Sequence, residues 1–259
     1  MSNKLIVSPL KVEYNKHCCR AVINRPQAHN AINFAVMDAL EELLDELERN
    51  DSRCFILTGA GDSFISGGDL KKFHTIKTAG KAKIMAQRML SILKRIEKLP
   101  CWTIAAVNGP AYGGGCEMML AFDFRIAATD ATFGFTQGKF YLPPGWGGLT
   151  RLVERVGRST ALSWLAEARI INAETALSHK LIDRVVETEK LQLSTGNWAE
   201  SLSKNDREFI RNLKQGALRF TEARWQAIAS ELDPFTEFWE SERHEKRVEK
   251  FLNRKMDGE

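Results

Sequence analysis

Strand-like and helix-like segments alternate along most of this 259-residue chain, and this alternation constrains its fold more than any other feature. Short β-prone runs lie at residues 5–7, 21–23, 54–58, 103–107 and 124–127. Apolar side chains recur between them at helical spacing, in Phe34, Met37, Leu40, Leu44 and Leu47 and again in Met85, Met89, Ile92 and Ile96. The pattern predicts an α/β domain whose helices pack outside its sheets.

The character of the chain changes toward its C-terminal end. Residues 134–148 lose the periodicity and are rich in Gly, Pro and aromatic side chains, and helical spacing resumes at Leu149 and continues to Leu165. From Trp198 onward only helix signals remain, dense in Lys, Arg and Glu. We therefore expect a main α/β domain in residues 1–195 and a helical segment in residues 196–259.

Composition excludes several classes of protein. The chain carries 37 Lys and Arg against 33 Asp and Glu, a net charge of +4 that gives no general attraction to nucleic acid or membranes. The most apolar stretch, residues 104–122, is interrupted by Asn108, Pro110 and Glu117, so we expect a buried core segment there. The five cysteines and five histidines lack metal-site spacing, and no secretory signal is evident, so we expect a cytoplasmic protein with reduced thiols and no metal.

Two glycine-rich turns follow predicted strands, at residues 63–70 (SFISGGDL) and 108–117 (NGPAYGGGCE). Glycine lets a ligand approach the backbone closely, and N–H groups at a helix start have no intrahelical partner. Each turn alone reads as a tight strand-to-helix connection, but the two together would form an oxyanion hole. Nucleotide-binding glycine motifs and the serine-hydrolase G-x-S-x-G motif are absent from the sequence.

Several motifs together resemble those of one enzyme family. They are N-R-P-x-A-x-N-A-I at residues 24–32, F-I-S-G-G-D-L at 64–70, and I-A-A-V-N-G-x-A-x-G-G-G-C-E at 104–117, with P-G-W-G-G-L-T-R-L at 144–152 and the segment 173–186. In this order and spacing they resemble the crotonase superfamily, the enoyl-CoA hydratase/isomerase family of acyl-CoA enzymes. The resemblance covers roughly residues 5–186 and, more loosely, the helical tail.

The resemblance implies a spiral of repeated ββα units, with C-terminal helices that assemble homotrimers or dimers of trimers. It also implies that two backbone N–H groups, here those of Gly68 and Gly114, polarise the carbonyl of a CoA thioester and stabilise an enolate. Coenzyme A would enter as part of the substrate, with no separate cofactor. The positions that match the family's CoA contacts are Arg25, Ala28, Ser66, Gly67, Asp69, Leu70 and Lys71. Lys71 and Lys72 would meet the CoA phosphates, or they are an exposed pair at a helix start.

The resemblance also makes Glu117 the first of two catalytic glutamates of hydratases. A carboxylate in an apolar helix is costly to bury without a purpose, although a structural partner would also explain it. The second glutamate is missing, because the matching position is Gln137. An amide can orient a group by hydrogen bonding but cannot donate and recover a proton near neutral pH.

Two reactions are therefore the main candidates, and isomerisation or other thioester chemistry is a further alternative. One is water addition to an enoyl-CoA, weakened by Gln137. The other is decarboxylation of a malonyl-type CoA thioester, since the P-x-W-G-G loop resembles the methylmalonyl-CoA and ethylmalonyl-CoA decarboxylase branches and this reaction needs a single proton donor. Trp146, Phe135, Phe140 and Leu142 suggest an apolar acyl pocket, and Tyr112 and Tyr141 are candidate auxiliary donors.

A function of another class is RNA binding through the basic tail. Lysines and arginines are frequent between Arg207 and Lys255, but glutamates are interleaved with them from Glu208 to Glu249. Such interleaving is typical of paired charges on a solvated helix face. Nucleic-acid binding is therefore the remote alternative.

Overall fold

The computed structural model describes residues 8–219 and 223–254, so the β-prone run at residues 5–7 and Lys255 lie outside it. The strands in the described residues are β1 (Leu10–Asn15), β2 (Cys18–Ile23), β3 (Cys54–Gly59), β4 (Trp102–Val107), β5 (Ala111–Tyr112), β6 (Phe124–Ala128), β7 (Thr132–Gly134), β8 (Ile170–Asn172) and β9 (Arg184–Val186). The helices are α1 (Phe34–Arg49), α2 (Leu70–Phe73), α3 (Ala79–Lys98), α4 (Gly114–Met119), α5 (Gly148–Val156), α6 (Arg158–Glu167), α7 (Ala173–Ser178), α8 (Leu191–Leu202), α9 (Arg207–Arg219), α10 (Arg224–Ser230), α11 (Leu232–Trp239) and α12 (Glu242–Arg254).

The strands form two sheets. The main sheet has the order β1-β2-β3-β4-β6-β9, in which β1 is antiparallel to β2 and every other neighbouring pair is parallel. The small sheet has the order β5-β7-β8. Strand β3 is buried along its whole length, as expected for parallel strands covered on both faces. This architecture confirms the predicted α/β fold class.

Helices α1 and α3 pack together and cover one face of the main sheet. Each begins at a residue whose side chain caps it, because Asn33 accepts a hydrogen bond from the Val36 N–H and Thr78 accepts one from the Lys81 N–H. The apolar stripes predicted from the spacing of their side chains are buried, apart from the exposed Phe34. On the other face of the sheet, α8 packs against β4 and β6, and the Trp198 ring contacts that of Phe124.

The C-terminal helices fold back over the α/β core. Helix α11 packs along α3, α10 packs on α5, and α12 contacts the 3-10 turn Thr136–Phe140. Several basic side chains of this segment are ion-paired: Lys214 with Asp123, Arg224 with Glu97 and Glu154, and Lys246 with Glu242. These ion pairs neutralise basic side chains that a nucleic-acid-binding surface would need to expose.

The helical spacing predicted from Leu149 to Leu165 is confirmed and is divided between two helices, because Gly157 has a φ of +81° and separates α5 from α6. The division between residues 195 and 196 lies inside α8, which packs on the main sheet, and the two-part organisation stays a prediction.

Residues 104–122 fold into the end of β4, then β5 and α4. None of the helices in the described parts of the chain combines the length and the apolar character needed to cross a membrane.

Candidate active site

The fold brings the two glycine-rich turns into contact. Isolated β-bridges pair Ile32 with Gly68 and Ile65 with Ala111, so the first turn is held beside the second. A Cβ atom at Gly67 would lie 3.4 Å from the backbone nitrogen of Gly114. Gly68 and Gly114 line one cavity of about 90 Å³, and none of the described residues accepts a hydrogen bond from the N–H of either. Two adjacent, unpaired N–H groups are what an oxyanion hole requires.

The side chain of Trp146 explains why one of these positions must be glycine. A Cβ atom at Gly114 would overlap the indole ring, and one at Gly68 would lie 3.7 Å from its Cη2 atom. The ring therefore lies against the α-carbons of both glycines. Any side chain at Gly114 would displace it.

Glu117 lies on α4, next to Gly114, with 2% of its surface exposed. Its Oε1 atom accepts a hydrogen bond from Gln137 Nε2 at 2.8 Å, and its Oε2 atom accepts from the N–H groups of Trp146 at 2.7 Å and Gly148 at 2.9 Å. Burial raises the pKa of Glu117 to about 7, and the nearby Glu231 charge adds to the rise while the three hydrogen bonds oppose it. The carboxyl group can therefore exchange a proton near neutral pH.

Gln137 lies on the 3-10 turn Thr136–Phe140 and faces Glu117 across the cavity. Its amide nitrogen donates to the carboxylate, and its Oε1 atom is buried with no hydrogen-bond partner among the described residues. Glu117 is the one titratable side chain among the described residues that line the cavity. The pair thus offers one proton-exchanging group and one fixed polar neighbour.

The sequence and the fold were compared with known proteins. The family model for enoyl-CoA hydratase/isomerase matches residues 13–257. A short-chain-enoyl-CoA hydratase from Clostridium acetobutylicum is 34% identical over 91% of this chain and 92% of its own length. An ethylmalonyl-CoA decarboxylase from Xenopus laevis is 33% identical over 84% of this chain and 74% of its own. The chain belongs to the enoyl-CoA hydratase/isomerase family.

The fold agrees with this assignment. The crystal structure of an enoyl-CoA hydratase/isomerase from Xanthobacter autotrophicus Py2 superposes with a TM-score of 0.88, at 26% identity, over 95% of this chain and 93% of that one. The expected crotonase fold and the action on CoA thioesters are thereby confirmed. Assembly into trimers stays a prediction.

The residues expected to contact CoA fall into two groups. Ser66, Gly67 and Leu70 line the cavity. Arg25 and Asp69 instead bind each other, with Arg25 Nη2 2.7 Å from Asp69 Oδ2, and Asp69 also caps α2 by accepting from the Lys72 N–H. Their side chains therefore hold the first glycine turn in place.

The remaining CoA positions lie outside the cavity. Ala28 is half-buried at the end of a 3-10 turn, and Lys71 is exposed on α2, directly after Leu70 at the cavity wall. No contact in the structure tests their roles, which stay predictions.

The two tyrosines considered as auxiliary donors lie elsewhere. The Tyr112 hydroxyl is hydrogen-bonded to Thr132 Oγ1 at 2.9 Å, and the Tyr141 hydroxyl accepts from Arg243 on α12. Neither is among the described residues that line the cavity. Their partners give both residues a packing role.

Aromatic and apolar side chains form much of the cavity wall. Phe140, Leu142 and Trp146 line it as expected, whereas Phe135 is buried in the core. Phe235 and Trp239 of α11 complete this wall, and Trp239 Nε1 donates to the Ile76 carbonyl at 2.9 Å. Sequence reasoning missed these two residues, because nothing in a charged helical tail indicates which aromatic side chain folds back onto a distant loop.

Glu231 is a third residue that sequence reasoning missed. It lies between α10 and α11, is 6% exposed, and accepts hydrogen bonds from the N–H groups of Thr150 at 2.8 Å and Leu149 at 3.2 Å. These N–H groups belong to the first turn of α5, directly after the loop whose backbone binds Glu117. Glu231 therefore holds the N-terminal end of α5 in place. Its sequence neighbourhood carries no signal, since many glutamates share the tail.

Proposed function

We propose that this protein decarboxylates a short malonyl-type CoA thioester, of the methylmalonyl-CoA or ethylmalonyl-CoA kind. The proposal rests on one observation. Glu117 is the single titratable side chain among the described residues that line the cavity. Loss of CO2 generates the enolate without a base, so one proton donor completes the reaction. Two-carboxylate water addition needs an acid and a base, and Gln137 cannot be either.

The proposed chemistry uses the backbone N–H groups of Gly68 and Gly114 and the carboxyl group of Glu117. The thioester oxygen accepts hydrogen bonds from the N–H groups of Gly68 and Gly114, the bond between the α-carbon and the carboxylate breaks, and its electron pair moves into the enolate. Protonated Glu117 then donates its proton to the α-carbon and recovers one from water. With a pKa of about 7, Glu117 is roughly half protonated at neutral pH.

The charge of the cavity also favours loss of CO2. Its described lining holds no Lys, Arg or His, and the aromatic wall includes Phe235 and Trp239. A substrate carboxylate placed there is poorly stabilised, and leaving as neutral CO2 removes that cost. Its negative charge would also favour the protonated form of Glu117, the form that the reaction needs.

The lining of the cavity supports an apolar acyl group. Phe73, Phe140, Leu142 and Trp146 are among the side chains that surround it. Lys71 and Lys72 are exposed on α2 and are suited to bind CoA phosphates.

Hydration of a short 2-enoyl-CoA is the second candidate, and a specific observation favours it. The unpartnered Oε1 atom of Gln137 lies beside Glu117 and could accept a hydrogen bond from a water molecule that Glu117 activates. The relative from Clostridium acetobutylicum carries this activity in its name. In that reaction Glu117 must be ionised to accept a proton.

A panel of substrates separates the two candidates. CO2 release from methylmalonyl-CoA and ethylmalonyl-CoA is compared with water addition to crotonyl-CoA, using wild type, Gln137→Glu and the control Gln137→Asn. We expect the wild type to release CO2, and Gln137→Glu to gain hydration because it restores the second carboxylate. Gln137→Asn, which shortens the side chain without adding an acid, should gain nothing. A wild type that hydrates crotonyl-CoA much faster than it releases CO2 from either substrate would refute the decarboxylase proposal.

A further inference from the structure

A second cavity lies on the face of the main sheet that α8 covers. It is a cleft of about 980 Å³ between strands β2 to β4 and α8, lined among others by Cys18, Arg20, Arg53 and Ile56. Ile56 points to this face, while its neighbours Phe55 and Leu57 pack in the core on the opposite face. None of the described residues that line the cleft also lines the Glu117 cavity.

Two cysteines are direct neighbours here, and one of them, Cys18, lines the cleft. Cys18 of β2 and Cys54 of β3 are paired in register in parallel strands, so their side chains project from the same face. Neighbouring strands are about 4.8 Å apart, within the Cα separation of roughly 4.4–6.8 Å that a disulfide bond requires. The two side chains are near enough to influence each other's ionisation, and the Cys18 thiol donates a hydrogen bond to the Cys19 carbonyl at 3.9 Å.

The two thiols differ in accessibility and in acidity. Cys18 is partly exposed and lines the cleft, whereas Cys54 is fully buried. The neighbouring Cys54 thiol and the charge of Arg20 lower the pKa of Cys18, while the Cys18 thiol and burial raise the pKa of Cys54.

The other cysteines lack this combination. Cys19, Cys101 and Cys116 are buried, and burial raises the pKa of Cys19 and Cys101 to about 12 and that of Cys116 still further. An accessible thiolate next to a resolving thiol is the arrangement of redox-sensitive cysteine pairs. In this chain it occurs at Cys18 and Cys54.

We propose that Cys18 and Cys54 form a redox-active dithiol that a hydroperoxide oxidises to an intrachain disulfide. The Cys18 thiolate attacks one peroxide oxygen, the O–O bond breaks, and Cys18 becomes a sulfenic acid as hydroxide leaves and takes a proton to become water. The Cys54 sulfur then attacks the Cys18 sulfur, and its proton leaves with the hydroxyl group as a second water. Overall, two thiols and one hydrogen peroxide give one disulfide and two waters.

The test uses the full-length protein and hydrogen peroxide as the probe. Reduced protein is exposed to one equivalent of peroxide, the remaining thiols are alkylated, and intact mass and peptide mapping identify the products. The wild type should lose two thiols and yield a Cys18–Cys54 bridge that a reductant reverses. Cys18→Ser should lose almost none, and Cys54→Ser should accumulate a sulfenic acid at Cys18 that dimedone traps. Cys101→Ser, which removes a buried thiol outside the pair, should behave as the wild type.

Three outcomes would overturn the proposal. They are equal thiol loss in wild type and Cys18→Ser, over-oxidation of Cys18 without a bridge, and a bridge that joins two chains on a non-reducing gel. A serine hydroxyl at the buried position 54 could unfold the protein, so Cys54→Ala and a thermal melt followed by circular dichroism accompany the series. Because the readout is thiol chemistry, the result is independent of the proposed decarboxylation.

Discussion

The two sides of the active-site cavity are built in different ways. We call one side the floor, which consists of Gly67, Gly68, Gly113, Gly114 and Glu117, and the other the roof, which consists of Phe140, Phe235 and Trp239. The floor comes from two short segments of the α/β core and offers backbone N–H groups and one carboxyl group. The roof is aromatic and comes mostly from a helix more than 100 residues further along the chain.

This difference predicts how each side contributes to catalysis. Donors fixed before the reaction stabilise charge that develops in the transition state, so changes in the floor should lower kcat. Apolar walls exclude water and bind the acyl group in the ground state and the transition state alike, so changes in the roof should act mainly on KM. Substitutions in the floor and in the roof test this division.

Replacing Glu117 should have the largest effect. Glu117→Gln removes the proton donor, and general acid–base groups typically contribute about 100- to 10,000-fold in rate. In the wild type, kcat/KM for CO2 release should fall as pH rises through about 7, because the carboxyl group loses its proton there. The variant should keep only a small, pH-independent rate. A hydratase mechanism predicts the opposite slope, with activity rising through the same pH.

The pH dependence of unfolding gives a second test of Glu117→Gln that needs no substrate. The pKa of Glu117 is about 7 in the folded protein against 4.5 for an ordinary glutamate, so the folded state holds this proton more tightly than the unfolded state. Its contribution to stability is therefore complete below pH 4.5 and is lost as pH rises to 7, by about 3 kcal/mol at 1.36 kcal/mol per pKa unit. Urea unfolding at pH 5 and pH 8 should show a smaller decline in Glu117→Gln than in wild type.

Removing one backbone donor should rank next. Gly114→Pro deletes an N–H of the floor, and the loss of one oxyanion-hole donor costs roughly 100- to 1,000-fold in kcat. Gly114→Ala keeps the N–H, but its methyl group would overlap the Trp146 ring. Comparing the two variants separates the effect of the missing N–H donor from that of the displaced ring. Gly80→Ala is the control for a glycine substitution that disturbs no neighbour, because a Cβ there meets open space. Equal rates in Gly114→Pro and Gly80→Ala would contradict the oxyanion hole.

The glycine turns of the floor could be located in the sequence because their constraints are local. Gly115 must be glycine because a Cβ would overlap the carbonyl of Ile65. Such close backbone contacts require several glycines in a row, and a glycine run is visible in the sequence. The roof depends on which aromatic side chains of a distant helix reach the cavity. Phe235 and Trp239 look like the other aromatic residues of the tail, so only the folded chain distinguishes them.

The fold follows the same rule. The runs at residues 21–23, 54–58, 103–107 and 124–127 are confirmed as parts of β2, β3, β4 and β6. Strands β5, β7 and β8 have two or three residues each, too few to show a period, and they exist because they pair with one another. Long elements with a buried face were predictable, and short ones that depend on tertiary pairing were not.

Glu231 connects the two sides, and its replacement should have an intermediate effect. Its charge is one cause of the high pKa of Glu117, so Glu231→Gln should lower that pKa and move the descending limb of the pH profile to lower pH. The charge of Arg151 of α5 acts on Glu231, and the variant keeps Arg151 and its ion pair with Glu97 of α3. Since one pKa unit is tenfold in protonation, we expect a loss of about 3- to 10-fold in kcat at pH 8 and less at pH 6.

The matched control for Glu231 is Glu237→Gln, an exposed glutamate of α11. It removes the same charge from the same segment without touching α5. A purely structural role for Glu231 would lower activity equally at all pH values, so an unchanged profile with a uniform loss would contradict the electrostatic link.

Substitutions in the roof should have the smallest effect, and they should change KM rather than kcat. A Cβ at Gly145 would overlap the Phe235 ring, so Gly145→Ala should push α11 outward and raise KM severalfold with little change in kcat. Overpacking of this kind typically costs about 1–3 kcal/mol of stability. Phe235→Leu removes part of the ring that the methyl group would overlap, so the double variant should recover stability relative to the sum of the singles. If Gly145→Ala instead lowered kcat as strongly as Gly114→Pro does, the roof would also stabilise the transition state. The division between transition-state stabilisation by the floor and substrate enclosure by the roof would then not hold.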